Sequence, residues 1–150
     1  MNISRKYLEK VNNLTSTYTI KTPVLINQKI NAICGAEIFF KCENFQKSGS
    51  FKFRAATNAV LNLDASQKKS GVITHSSGNF AQALSLASQN QSITAHIVMP
   101  ENAPEIKKQS VLKSNSNLVV CKSTLKSREE TSKEIQDKYR SHMNFHLLLH

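Results

Sequence analysis

Glycine is scarce in this 150-residue chain. There are four, Gly35, Gly49, Gly71 and Gly78, and no two are adjacent, so no glycine-rich loop able to cradle a phosphate is encoded. The three cysteines, Cys34, Cys42 and Cys121, show no CxxC or paired-ligand spacing, which argues against a disulfide scaffold or zinc module and for a reducing compartment. No apolar run approaches the roughly 18–20 residues of a membrane helix. The opening Met1-Asn2-Ile3-Ser4-Arg5-Lys6 lacks the apolar centre of a secretory signal. A soluble cytoplasmic protein is the expectation. Acidic residues are also few: ten against twenty Lys and Arg, a net charge of +10. That balance permits nucleic-acid, membrane-surface or anionic-ligand binding without choosing among them. Nucleic acid is disfavoured, because aromatics make up only 7% and Lys122, Lys126, Arg128, Lys133 and Lys138 are spread along a charged, helix-like segment.

With 39% hydrophobic and 20% charged residues, the chain has a globular composition. Short β-branched or aromatic runs alternate with helix-like segments. Strands are expected at Ile38–Cys42, Val72–Thr74, Ala95–Met99, Leu118–Cys121 and Phe145–Leu149. A helix from Phe51 to about Leu63 takes Ser50 as its cap and buries a face of Ala55, Ala56, Ala59, Val60 and Leu63. Asp64 to Gly71 reads as a polar connection. Further helices are expected from Phe80 to Ala87, from Pro104 to Lys113 and from Ser127 to Tyr139. This alternation predicts an α/β fold, a parallel sheet with flanking helices. Ligands in such sheets gather where strands turn into helices, here Asn44–Lys52 and Thr74–Asn79.

In the first turn, Lys52 stands at the start of its helix, where the dipole opposes a cation and favours the neutral amine that attacks carbonyls. Position alone also fits an ordinary solvated lysine. In the second turn, Ser76-Ser77-Gly78-Asn79 offers backbone N–H groups and two hydroxyls at a helix start, suited to a carboxylate or phosphate. An ordinary serine-capped helix fits the spacing equally well. His75, just before it, reads as hydrogen-bonded structure.

Taken together, Phe40-Lys41-Cys42-Glu43-Asn44-Phe45-Gln46-Lys47-Ser48-Gly49-Ser50-Phe51-Lys52-Phe53-Arg54, then Ser76-Ser77-Gly78-Asn79, strongly resemble the signature of the serine racemase and serine/threonine dehydratase family. Thr22-Pro23-Val24-Leu25 and Val98-Met99-Pro100-Glu101-Asn102-Ala103-Pro104, with Lys107-Lys108, extend the likeness from about Lys21 to Lys113. The resemblance implies a fold-type-II enzyme dependent on pyridoxal 5′-phosphate, similar to the tryptophan synthase β fold. It makes Lys52 the residue bound to the cofactor as an internal aldimine and the base at Cα. Phe51 matches the aromatic beside the pyridine ring, Ser77 the opposite-face acid/base of racemases, and Asn79 the partner of the cofactor's 3′-oxygen. Ser76, Ser77, Gly78, Asn79 and Gln82 match the turn that receives the substrate carboxylate. L-serine or L-threonine is the implied substrate, with 3-hydroxyaspartate open. Dehydration is the leading reaction and racemisation remains open. The resemblance also implies a homodimer, with neither nucleic acid nor membrane as partner, and an allosteric nucleotide site that would use Lys47 and Gln82.

Members of that family are about twice as long. Their glycine-rich phosphate loop, pyridine-nitrogen partner and divalent-metal carboxylates lie in a second half not matched here. The expected organisation is residues 1–70 as an incomplete start of the large domain, 71–145 as the small domain, and 146–150 as a truncated return. The alternative to an enzyme is a truncated, catalytically incompetent fragment or paralogue acting as an interaction partner. Three local departures accompany this: Phe80 in place of a histidine, Ala55 in place of a glycine with a methyl expected to crowd its surroundings, and Ser114-Asn115-Ser116-Asn117 in place of a glycine turn.

Overall fold

The computed structural model describes residues 3–139 and the backbone of 143–144. The expected strand at Phe145–Leu149 and the segment 146–150 lie outside the described residues. Four parallel strands make the main sheet, in the order β5-β4-β3-β6: β3 (Val72–His75), β4 (Ala95–Pro100), β5 (Asn117–Cys121) and β6 (Met143–Asn144). Every residue of β3 and β4 is buried. Burial on both faces explains why these segments read as continuous apolar runs instead of alternating ones.

Helices cover both faces. On one side, α3 (Lys52–Leu61), α5 (Asn79–Gln89) and α6 (Glu105–Lys113) share a core with the strands. Phe53, Ala56 and Val60 meet Phe80, Ala81 and Leu84 there, above Val72, Ile97 and Met99. On the other side, α7 (Leu125–Tyr139) lays Ile135 against Ile73, Val98 and Cys121. The chain start adds α1 (Arg5–Thr15), α2 (Gln28–Cys34) and an antiparallel ribbon of β1 (Val24–Ile26) and β2 (Phe39–Lys41). Val24, Leu25, Ile26, Phe39 and Phe40 of that ribbon are all exposed. No helix among the described residues is long and apolar enough to cross a membrane. Cys34, Cys42 and Cys121 are free thiols.

The structure corrects several local expectations. Asp64 to Gly71 is not a mere connection: it holds α4 (Ala65–Ser70), fixed by a reciprocal capping box between Asp64 and Gln67. Gly71 ends that helix at φ +82°, and a Cβ there would come within 2.7 Å of the Thr94 carbonyl oxygen, so only glycine fits the turn. Ser50 does not cap α3. Phe51 occupies that position without a side-chain bond, and the buried Ser50 hydroxyl has no partner. The buried face of α3 is Phe53, Ala56, Thr57 and Val60, whereas Ala55 points outward. Its methyl therefore crowds nothing. Pro100 closes β4 instead of stopping it at Met99, and Pro104 caps α6 instead of lying within its first turn. Thr74 and His75 belong to the strand, so the turn into α5 starts at Ser76. Asn115 adopts the left-handed conformation the glycine-free turn demands, at φ +52°.

Candidate active site

Lys52 is the first residue of α3, directly after the chain leaves the loop that follows β2. That loop is tightly fastened. Gln46, buried, accepts from the Ile20 N–H at 2.9 Å and donates to the Ile20 carbonyl at 2.9 Å. Gly49 turns the chain at φ +74°, with its N–H bonded to the Gln46 carbonyl. Arg54 grips Glu43 with two parallel bonds of 2.8 Å, from Nε to Oε2 and from Nη2 to Oε1, and Thr22 donates to the same carboxylate. Lys41 donates to the Thr22 carbonyl, which closes the link between the ribbon and α3.

The Arg54 hydrogen bonds hold the Glu43 carboxyl down at about 2, against an opposing effect of burial and with help from Thr22. A carboxylate whose folded pKa is depressed stabilises the fold above its unfolded value of 4.5 and loses that contribution as pH falls toward 2. After solvent screening the contribution is roughly 2 kcal/mol. Chemical denaturation at pH 7 and pH 3 is expected to show a loss of somewhat more than half of that, about 1 kcal/mol, in the parent and a smaller one in Glu43→Gln. Equal losses in both would remove Glu43 from the account.

Past this loop, Phe51 is exposed, and the Lys52 Nζ lies 5.0 Å from its ring centroid. Among the described residues, the Lys52 amine forms neither a hydrogen bond nor an ion pair. An amine tied up in a salt bridge would be a poor nucleophile; among the described residues this one has only the Phe51 ring beside it.

The second turn leaves the carboxyl end of β3. Ser76 is anchored by its N–H to the Val98 carbonyl, and Ser76, Ser77 and Gly78 are half-buried. Gly78, which has no side chain to cap with, stands at the cap position of α5, so neither Ser76 nor Ser77 is its N-cap residue. The backbone N–H groups and the dipole of a helix start together attract an anion. A Cβ on Gly78 would meet no protein atom within 4 Å, so this backbone faces open space. Phe80, the residue expected to have replaced a histidine, is buried in the core. Asn79 and Gln82 stand on consecutive turns of α5, and both side-chain oxygens accept from the Lys107 Nζ, at 2.9 and 2.6 Å.

The structure thus groups Ser76, Ser77, Gly78, Asn79 and Gln82 around one helix start. Lys52 and Phe51 begin a second helix that packs directly on the first. No polar contact joins Lys52 to the Ser76–Asn79 turn among the described residues. Sequence reasoning missed Lys107 as a member of this cluster and Glu43 as the tether of the loop. Nothing in linear spacing ties Lys107 to positions 25 and 28 residues earlier, whereas Glu43 and Arg54, opposite charges flanking the loop, were a usable signal.

Comparison with known proteins fits this arrangement. A family described as pyridoxal-phosphate dependent enzyme matches residues 15–146. Serine racemase of Dictyostelium discoideum is 41% identical over 137 residues, which are 91% of this chain and 42% of that protein. The beta-hydroxyaspartate dehydratase of Paracoccus denitrificans is 46% identical over 116 residues, 77% of this chain and 37% of its own. The solved structure of maize serine racemase superposes with a TM-score of 0.88 at 39% identity, covering 93% of this chain and 42% of that one. The chain therefore spans about two fifths of the length of these relatives. Matched by sequence and by fold along nearly all of its own length, it belongs to the pyridoxal-phosphate dependent enzymes, with the serine racemases and serine/threonine dehydratases.

Proposed function

We propose that this chain supplies the anchor lysine and the carboxylate-binding turn of an enzyme that dehydrates L-serine or L-threonine and racemises serine. The observation that carries this reading is the Lys52 amine, which among the described residues has only the Phe51 ring beside it, on a helix packed against α5. Pyridoxal 5′-phosphate, when bound, withdraws electrons from the bonds at the substrate Cα. Lys52 would anchor its aldehyde carbon and move the α-proton on one face. Phe51 would pack against its ring, and Asn79 would donate to its 3′-oxygen. The N–H groups at the start of α5, with Ser76, Ser77 and Gln82, hold the substrate carboxylate. Proton loss at Cα and hydroxide loss at Cβ, together one water, would leave an enamine; its tautomerisation to an imine and hydrolysis by one water would yield the 2-keto acid and ammonia, whereas proton return from the Ser77 hydroxyl on the other face would yield the D-amino acid.

The residues present fit the cofactor's aldehyde and its 3′-oxygen. Its phosphate finds no glycine-rich loop within these 150 residues. The same reading assigns residues 1–70 to the start of a large domain and 71–145 to a small one, and includes a homodimer and a cytoplasmic setting.

Ser77→Ala provides the test. With pyridoxal 5′-phosphate and L-serine supplied, D-serine formation is expected to fall by about 10²–10⁴-fold while keto acid formation persists. Chiral chromatography and a coupled keto acid assay read the two products separately. Equal loss of both would deny Ser77 its face-specific role. No turnover and no cofactor uptake by the parent chain would leave the interaction-partner alternative standing.

A further inference from the structure

Lys107 serves two amides at once. It rises from the first turn of α6 and donates to Oδ1 of Asn79 and Oε1 of Gln82, residues three apart on one face of α5. A primary amide has one accepting and one donating end, and an ammonium group can only donate. Both oxygens are therefore committed to Lys107. The Asn79 and Gln82 nitrogens donate to no group among the described residues. The cation also lies beside the positive end of α5, a placement that is unfavourable by itself. Among the described residues only the two amide oxygens balance it and no carboxylate pairs with Lys107, whereas the neighbouring Lys108 is near Glu105.

From this geometry we infer that Lys107 is a positioning residue, holding the Asn79 and Gln82 amides oxygen-inward so that a ligand meets only N–H donors. The inference rests on the proposed function and deepens it, because a donor-only surface selects for acceptor oxygens such as the cofactor's 3′-oxygen or a substrate carboxylate. Without Lys107 each amide is free to turn over and present an oxygen, which repels the same ligand.

The experiment compares the parent chain with Lys107→Met and Lys107→Arg. Side-chain ¹⁵N amide spectra are recorded without cofactor, then pyridoxal 5′-phosphate is titrated by absorbance. The Asn79 and Gln82 amide signals are expected to move in Lys107→Met and to return toward the parent in Lys107→Arg, whose guanidinium has donors for both oxygens. Cofactor affinity is expected to fall about tenfold in the methionine variant and to recover in the arginine one. Asn79→Asp, which keeps an oxygen for Lys107 but has no N–H, is expected to lose affinity similarly while the Gln82 signal stays in place. Unmoved amide signals in Lys107→Met overturn the clamp, and moved signals with unchanged affinity overturn the positioning role. A parent chain that takes up no cofactor instead sinks the functional reading and the positioning role with it, while the amide signals still decide the clamp.

Discussion

Lys52→Met is expected to abolish covalent capture of pyridoxal 5′-phosphate and to lower keto acid formation from serine by at least about 10³-fold. Borohydride reduction followed by peptide mass analysis should place the label on Lys52 in the parent and nowhere in the variant. The substitution is a clean one. Methionine keeps most of the apolar stem of the lysine, and among the described residues Lys52 makes no hydrogen bond or ion pair that its removal would orphan. Taking a cation away from the first turn of α3 relieves a dipole penalty of about 0.3–1 kcal/mol, so the variant has no reason to unfold. Label on another lysine in the parent, or turnover retained in the variant, would overturn Lys52 as the anchor.

Phe53→Ala is expected to cost about 3–5 kcal/mol, a large part of the 5–15 kcal/mol that holds a typical domain together. Phe53 is fully buried in the core that α3 shares with α5 and the sheet. Truncation leaves a cavity that interdigitated neighbours fill only partly, so a contact term adds to the lost transfer energy. The comparison with Phe51→Ala makes the point sharper. Two residues earlier in sequence, Phe51 is 58% exposed, and its truncation is expected to change stability by within about 0.5 kcal/mol while weakening cofactor binding. Urea denaturation of the two variants separates structural from functional phenylalanine. Similar losses for both would contradict the assignment of Phe53 to the core.

Much of the central sheet was legible because its strands are short, β-branched and separated by helices of ordinary length. What escaped was set by contacts distant in sequence or by caps. The α1 and α2 helices went unpredicted, although Ser4 and Asn27 each cap one by accepting a backbone N–H. Strand β2 lies within the expected Ile38–Cys42, but its partner β1 escaped, and with it the antiparallel ribbon outside the parallel sheet: the ribbon pairs Val24 with Lys41 across seventeen residues and exposes both faces, so no alternation marks β1. Helix α4 carried its own signal in Asp64 and Gln67, which a composition-led reading of a polar stretch passes over. At the candidate site the residue types were readable from motif resemblance, whereas the amide clamp by Lys107 exists only once α6 is laid beside α5.

The exposed ribbon has a consequence for how molecules of this chain meet one another. Five apolar side chains facing outward on β1 and β2 favour self-association, while a formal charge of +10 drives identical molecules apart. The repulsion reaches only about one Debye length, roughly 30 Å at 0.01 M ionic strength and 3 Å at 1 M, whereas contact between apolar surfaces is not screened. Dilute buffer therefore favours dispersed chains, and concentrated electrolyte lets sticky faces find each other.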